Sequence, residues 1–167
     1  MNSLEWGLIE LGQLALALFL GLIIGFEREL DDKPAGVKTI TIVTLCSTLI
    51  MQLSYKLPAV SAGLMGDPGR LAAAVVTGIG FLGAGVIIRT GQGVEGITTA
   101  ATIWLMAGVG LAIGATYYLP AVIVAAIVYT LLLLDPVIDR LVAWRLRNRM
   151  RDKRATDEVT EDTHKKT

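Results

Sequence analysis

Histidine and cysteine are almost missing from this 167-residue chain: His164 and Cys46 stand alone. A single cysteine forbids an intrachain disulfide and leaves the redox compartment unread. One histidine, set in a polar tail, removes imidazole-based catalysis and most zinc or iron sites. Net charge is lacking as well. Fifteen Lys and Arg balance 15 Asp and Glu, so overall charge points to neither a nucleic-acid partner nor an acidic substrate. No nucleophile–base pairing, Walker loop or metal-ligand cluster occurs, so the chain reads as a non-enzyme with no cofactor and no assignable metal. Basic residues are also absent from the start, where Glu5 and Glu10 precede Leu11. A secretory signal opens on positive charge, so the first apolar run is expected to persist as a membrane anchor.

Apolar residues are what the chain has: 53% of the sequence, with a mean hydropathy of +0.61. They gather in five segments, near Leu8–Phe26, Thr39–Tyr55, Leu71–Ile88, Ile97–Thr116 and Pro120–Leu134. The first four have the length that crosses ~30 Å of hydrocarbon at ~1.5 Å per residue. The fifth is short, and either leans on Tyr117, Tyr118 and Leu119 or continues beyond Pro136. The expected fold is an all-α membrane protein of about five transmembrane helices over residues 1–135. A basic amphipathic cytoplasmic segment over 136–150 and a disordered polar tail over 151–167 are expected to follow.

Basic residues orient the helices. Arg140, Arg145, Arg147, Arg149, Arg151, Lys153 and Arg154 follow the fifth segment, which puts the C-terminus in the cytoplasm. Five crossings then leave the N-terminus outside. The loops Glu27–Lys38 and Arg89–Gly96 both fall inside. A weak repeat accompanies this arrangement. Phe19-Leu20-Gly21 recurs as Phe81-Leu82-Gly83, and Gly36-Val37-Lys38-Thr39 as Gly96-Ile97-Thr98-Thr99. Two helical hairpins running in the same direction would follow.

Glycine is densest in the third segment, at Gly78, Gly80, Gly83 and Gly85. In water each would weaken a helix by about 1 kcal/mol relative to alanine. In lipid the backbone must satisfy itself, so helix survives and glycine permits close helix contact. Gly21 with Gly25, and Gly110 with Gly114, have the same GxxxG spacing. Packing is thus the expected role of Gly21, Gly25, Gly78, Gly80, Gly83 and Gly85.

Charged and hydroxylic residues at the helix ends are the candidates for chemistry. Glu27 is expected either to sit on a solvated helix end beside a snorkelling Arg28 or to face the bundle and pair with Lys38 or Arg89, because charge near hydrocarbon is costly unless paired or hydrated. Its neighbour Arg28 lies about 100° away around the helix and is expected to point elsewhere. Asp67 and Arg70 open the third helix, as an N-cap or as an ion pair. Thr39, Thr98 and Thr99 sit at helix N-termini, whose free amides and dipole suit an anion. The other hydroxyls are expected to bond to their own helix, and Cys46 to pack.

These blocks together resemble the bacterial MgtC/SapB family of inner-membrane proteins. The resemblance rests on Gly21-Leu22-Ile23-Ile24-Gly25-Phe26-Glu27-Arg28-Glu29 and on Ala35-Gly36-Val37-Lys38-Thr39. It continues through Asp67-Pro68-Gly69-Arg70 and Gly78-Ile79-Gly80-Phe81-Leu82-Gly83-Ala84-Gly85. It closes with Gly96-Ile97-Thr98-Thr99-Ala100-Ala101-Thr102-Ile103-Trp104. The match covers the transmembrane domain, without the ACT-like domain that many members add. Lys38 stands where arginine is common in the family, and Ala74 where glutamine is frequent. The resemblance implies adaptation to low magnesium, an association with virulence in pathogens, and regulation of the proton-driven ATP synthase by contact within the membrane.

Two functions are therefore weighed. The first is a noncatalytic regulator of ion or energy balance that docks on another membrane complex. The second is a small transporter or channel for magnesium, protons or an anion, with its site where Glu27, Arg28, Lys38, Arg89, Thr98 and Thr99 meet. The expected partners are membrane lipids, such a complex and a second copy of the chain. No nucleic acid is expected.

Overall fold

The computed structural model describes residues 3–60, 67–91, 93–135 and 144–145. Five helices are long and apolar enough to cross a membrane, and the chain is an all-α multi-pass membrane protein. They are α1 (Ser3–Leu30), α2 (Val37–Val60), α3 (Pro68–Val86), α4 (Ile97–Gly114) and α5 (Tyr118–Asp135). The fifth reaches spanning length by starting at Tyr118. The expected basic segment lies outside the described residues apart from Trp144 and Arg145, which are helical, and the expected tail lies wholly outside them. The chain forms two units, Met1–Tyr129 and Thr130–Thr167. In the second, the described residues are the end of α5 and that two-residue piece.

Within the first unit, α2 is the central helix, and glycine explains why. A β-carbon on Gly21 would stand 2.9 Å from the Thr41 Cα, and one on Gly25 2.7 Å from the Val37 Cα. Real side chains do not approach so closely, so α1 lies on α2 along Gly21 and Gly25. On the other flank, Gly110 and Gly114 of α4 rest on the carbonyls of Thr44 and Thr48. Residue numbers fall on α1 as they rise on α2, and rise together on α2 and α4. Helices α1 and α2 are thus antiparallel, whereas α2 and α4 are parallel. Thr48 ties the second contact with its one O–H, which is shared between the carbonyls of Thr44 and Gly110, each 2.9 Å from Oγ1.

A β-hairpin joins α3 to α4, a departure from the purely helical expectation. Strands β1 (Ile88–Thr90) and β2 (Gly93–Glu95) pair antiparallel, with Arg89 opposite Val94. The left-handed Gly96 (φ 85°) then starts α4, and a side chain there would strike the Val86 carbonyl. The α1–α2 and α3–α4 connections thus lie at one end of the bundle.

Two helices end in the same left-handed turn without glycine. After α1, Asp32 (φ 51°) lets Lys33 N–H reach the Arg28 carbonyl at 3.0 Å. After α4, Thr116 (φ 67°) lets Tyr117 N–H reach the Ala112 carbonyl at 2.9 Å. Both are Schellman motifs, a place where glycine is usual.

Candidate functional site

At the connection end, α1 carries a charged pair into the protein interior. Arg28 is fully buried and Glu27 is 8% exposed. Arg28 donates through Nε and Nη2 to the two carboxylate oxygens of Glu27, each at 2.5 Å. Asp31, one turn on, lies 3.8 Å from Nη2. The expectation that Glu27 and Arg28 diverge is corrected here. Backbone directions 100° apart do not stop long, flexible side chains from curling into a planar two-bond fork. The pairing of Glu27 with Lys38 or Arg89 is corrected with it. Lys38 is exposed on the first turn of α2 and Arg89 is exposed on β1.

Glu29 has a role that the sequence reading did not assign. Its carboxylate accepts a 2.9 Å bond from the Val37 N–H, the first amide of α2. An anion there meets the positive end of the helix dipole. A side chain at Gly36 would displace that carboxylate from its present position. The signal was legible as a carboxylate in the last turn of a helix, followed by a loop short enough to fold back.

The remaining candidates differ in exposure. Thr39 and Thr98 are exposed, while Thr99 is buried on α4. Asp67 caps α3, accepting 2.8 Å from Gly69 N–H, with Arg70 exposed beside it. Those two open α3, whereas the hairpin carrying Arg89 follows the far end of that helix. The structure pairs Glu27 with Arg28; Lys38, Thr39, Arg89, Thr98 and Thr99 stand at the same end of the bundle, whereas Asp67 and Arg70 open α3 at its other end. Several hydroxyls bond back to their own helix, as Thr44 does to Ile40, Thr77 to Ala73 and Thr102 to Thr98, each at 2.9 Å. The Thr41 hydroxyl is buried with no hydrogen-bond partner among the described residues. Cys46 is exposed rather than packed.

Glycine on α3 behaves differently from glycine on α1 and α4. Gly83 faces Ala100 of α4, where a β-carbon would stand 3.7 Å from the Ala100 Cβ. Around Gly78, Gly80 and Gly85 there is nothing within 4 Å. Among the described residues those three pack against no neighbour, because α3 meets the other helices along one narrow side. Its spanning stretch is 6% buried, against 56% for α4.

A second polar cluster, unforeseen from sequence, lies at the opposite end of the bundle. The amide of Gln52 (α2) donates to the Gln13 side-chain oxygen at 2.8 Å and to the Glu10 carbonyl at 3.1 Å. Gln13 (α1) donates to the Tyr118 hydroxyl at 3.1 Å. Lys56 closes the group, with Nζ 2.7 Å from Glu10. The available signal was a glutamine in each of two apolar runs, since a lone amide in lipid needs a partner. Among the described residues, no group of three or more His, Cys, Asp or Glu could hold a metal ion.

Comparison with known proteins places the chain. The MgtC family pattern matches residues 14–141. An uncharacterized protein of Haemophilus influenzae is 45% identical over 140 residues, which is 81% of this chain and 59% of that protein. Protein SapB of Bacillus subtilis is 43% identical, over 64% of this chain and 47% of SapB. Protein MgtC of Salmonella typhimurium is also 43% identical, over 60% of this chain and 41% of MgtC. The matched part thus spans about half the length of these curated relatives. No solved structure matches the chain. Sequence blocks, five spanning helices and the matched pattern agree: this chain belongs to the MgtC family.

Proposed function

We propose that the chain is a noncatalytic regulator of the bacterial inner membrane that docks through α3 on another membrane protein complex. One observation carries the reading. Helix α3 has spanning length, is 6% buried, and turns Gly78, Gly80 and Gly85 to open space. Small residues let helix backbones approach closely in lipid, where packing replaces the hydrophobic effect as the driving force. Beside it, Val76, Trp104 and Gly108 border an apolar groove of about 320 Å³. The partner we assign is the membrane sector of the proton-driven ATP synthase, following the family resemblance, and the setting is magnesium limitation. Basic residues favour an outer N-terminus and a cytoplasmic C-terminus.

The carrier reading is weaker on physical grounds. Glu27 is already neutralised by Arg28, and a buried guanidinium opposes a bare cation. One experiment separates the two. Tagged protein is purified from its native membranes in mild detergent, and the same protein is reconstituted alone in liposomes. The regulator reading expects ATP synthase subunits to copurify and the liposomes to stay ion-tight. Ion flux by the wild type that Glu27→Gln abolishes, without a reproducible partner, would establish the carrier instead.

A further inference from the structure

The polar cluster at the Glu10 end surrounds a cavity of about 940 Å³, open to the outside, within the size range of small-molecule sites. Its walls are mostly apolar, with Ile9 on one side and Tyr117 on another. Its polar groups converge from separate elements: Glu10 and Gln13 from α1, Gln52 and Lys56 from α2. At its rim, Thr116 holds φ 67°, a conformation a β-branched residue rarely adopts.

Charge and level identify the occupant. The site holds one carboxylate and one ammonium, so it is electroneutral. Lys56 has three N–H donors and Glu10 satisfies at most two, leaving the ammonium able to bind a further oxygen. The Glu10 carboxylate likewise keeps acceptor capacity beyond that pair. Tyr55, Tyr117 and Tyr118 ring this end of the bundle, the position tyrosine takes at a membrane–water interface. A ligand with a cation and an anion one headgroup apart, and a hydrocarbon tail, meets all of these.

We infer that this cavity binds a zwitterionic phospholipid with a primary amine, of the phosphatidylethanolamine class. Its phosphate sits on Lys56, its ammonium donates to Glu10, and an acyl chain lies along the apolar wall by Ile9. The buried Gln13–Gln52 pair holds the floor rigid beneath the headgroup. An anionic glycerol headgroup would satisfy Lys56 and be repelled by Glu10. A choline headgroup carries no N–H to give Glu10.

Native mass spectrometry of the detergent-purified chain tests this, after delipidation and titration with defined lipids. Phosphatidylethanolamine is expected to bind about tenfold more tightly than phosphatidylcholine or phosphatidylglycerol, the value of one charge-assisted hydrogen bond. Glu10→Gln should remove that preference, and Lys56→Gln should weaken every phospholipid. Helical circular dichroism and a single elution peak certify each variant's fold. Wild-type selectivity decides the matter even where a variant fails to fold. Equal or tighter binding of phosphatidylglycerol overturns the inference, as does a preference that survives Glu10→Gln. Glycerophosphoethanolamine binding as tightly as the intact lipid would also overturn it, by assigning the site to a free headgroup.

Discussion

Gly110 of α4 lies against the backbone carbonyl of Thr44 in α2, so close that no β-carbon fits between them. A carbonyl cannot swing aside as a side chain can, so any residue but glycine must push the helices apart. Gly110→Ala is expected to destabilise the protein by about 1–3 kcal/mol, the cost of overpacking. Gly78→Ala faces open space and should be neutral or stabilising by up to about 1 kcal/mol, from helix propensity. Denaturant unfolding in detergent, followed by circular dichroism, compares the two.

Thr48 and Thr41 share a helix and differ in their bonds. The Thr48 hydroxyl links α2 to Gly110, and that of Thr41 is buried among the described residues without a partner. Thr48→Val should cost about 0.6–1.7 kcal/mol, the range for interhelical bonds in membranes. Thr41→Val keeps the shape and removes an unsatisfied hydroxyl, so it should be neutral or stabilising by about 1 kcal/mol. The same unfolding measurement reads both.

A buried ion pair broken on one side leaves a charge without compensation. Arg28→Met should therefore cost about 3–5 kcal/mol. The Glu27→Gln, Arg28→Met double variant should recover much of that loss, since two neutral side chains carry no buried charge. A double-mutant cycle on unfolding free energies measures the recovery, and additive costs would mean that the two residues act separately.

Left-handed residues at the ends of α1 and α4 offer stabilising changes. Thr116→Gly should raise stability by about 1 kcal/mol, because a branched side chain is strained at positive φ. Asp32→Gly should give less, since aspartate tolerates that region better. Thermal unfolding midpoints order the pair.

The helices were legible because lipid demands long apolar runs, and their ends shifted by only a few residues. Proline marked the start of α3 at Pro68. The end of α4 was harder to see, since Thr116 takes the left-handed position without glycine to announce it. The pairing of Glu27 with Arg28 was misread because a helical wheel assigns directions to backbones, not to the ends of long side chains. The Gln13–Gln52 cluster was missed for another reason. Its members are 39 residues apart, and only the antiparallel register of α1 on α2 brings them together. Glycine showed where helices could approach closely. It could not show that Gly21, Gly25, Gly110 and Gly114 are used within the chain while Gly78, Gly80 and Gly85 face outward.

The claim that α3 is the docking helix is tested most directly by photo-crosslinking in native membranes. A photoreactive residue replaces Phe81, the most exposed large hydrophobic side chain on α3. A control replaces Ile42, exposed on α2. The account predicts an adduct with an ATP synthase membrane subunit from position 81 and none from position 42. Equal adducts from both positions, or adducts from neither, would contradict it.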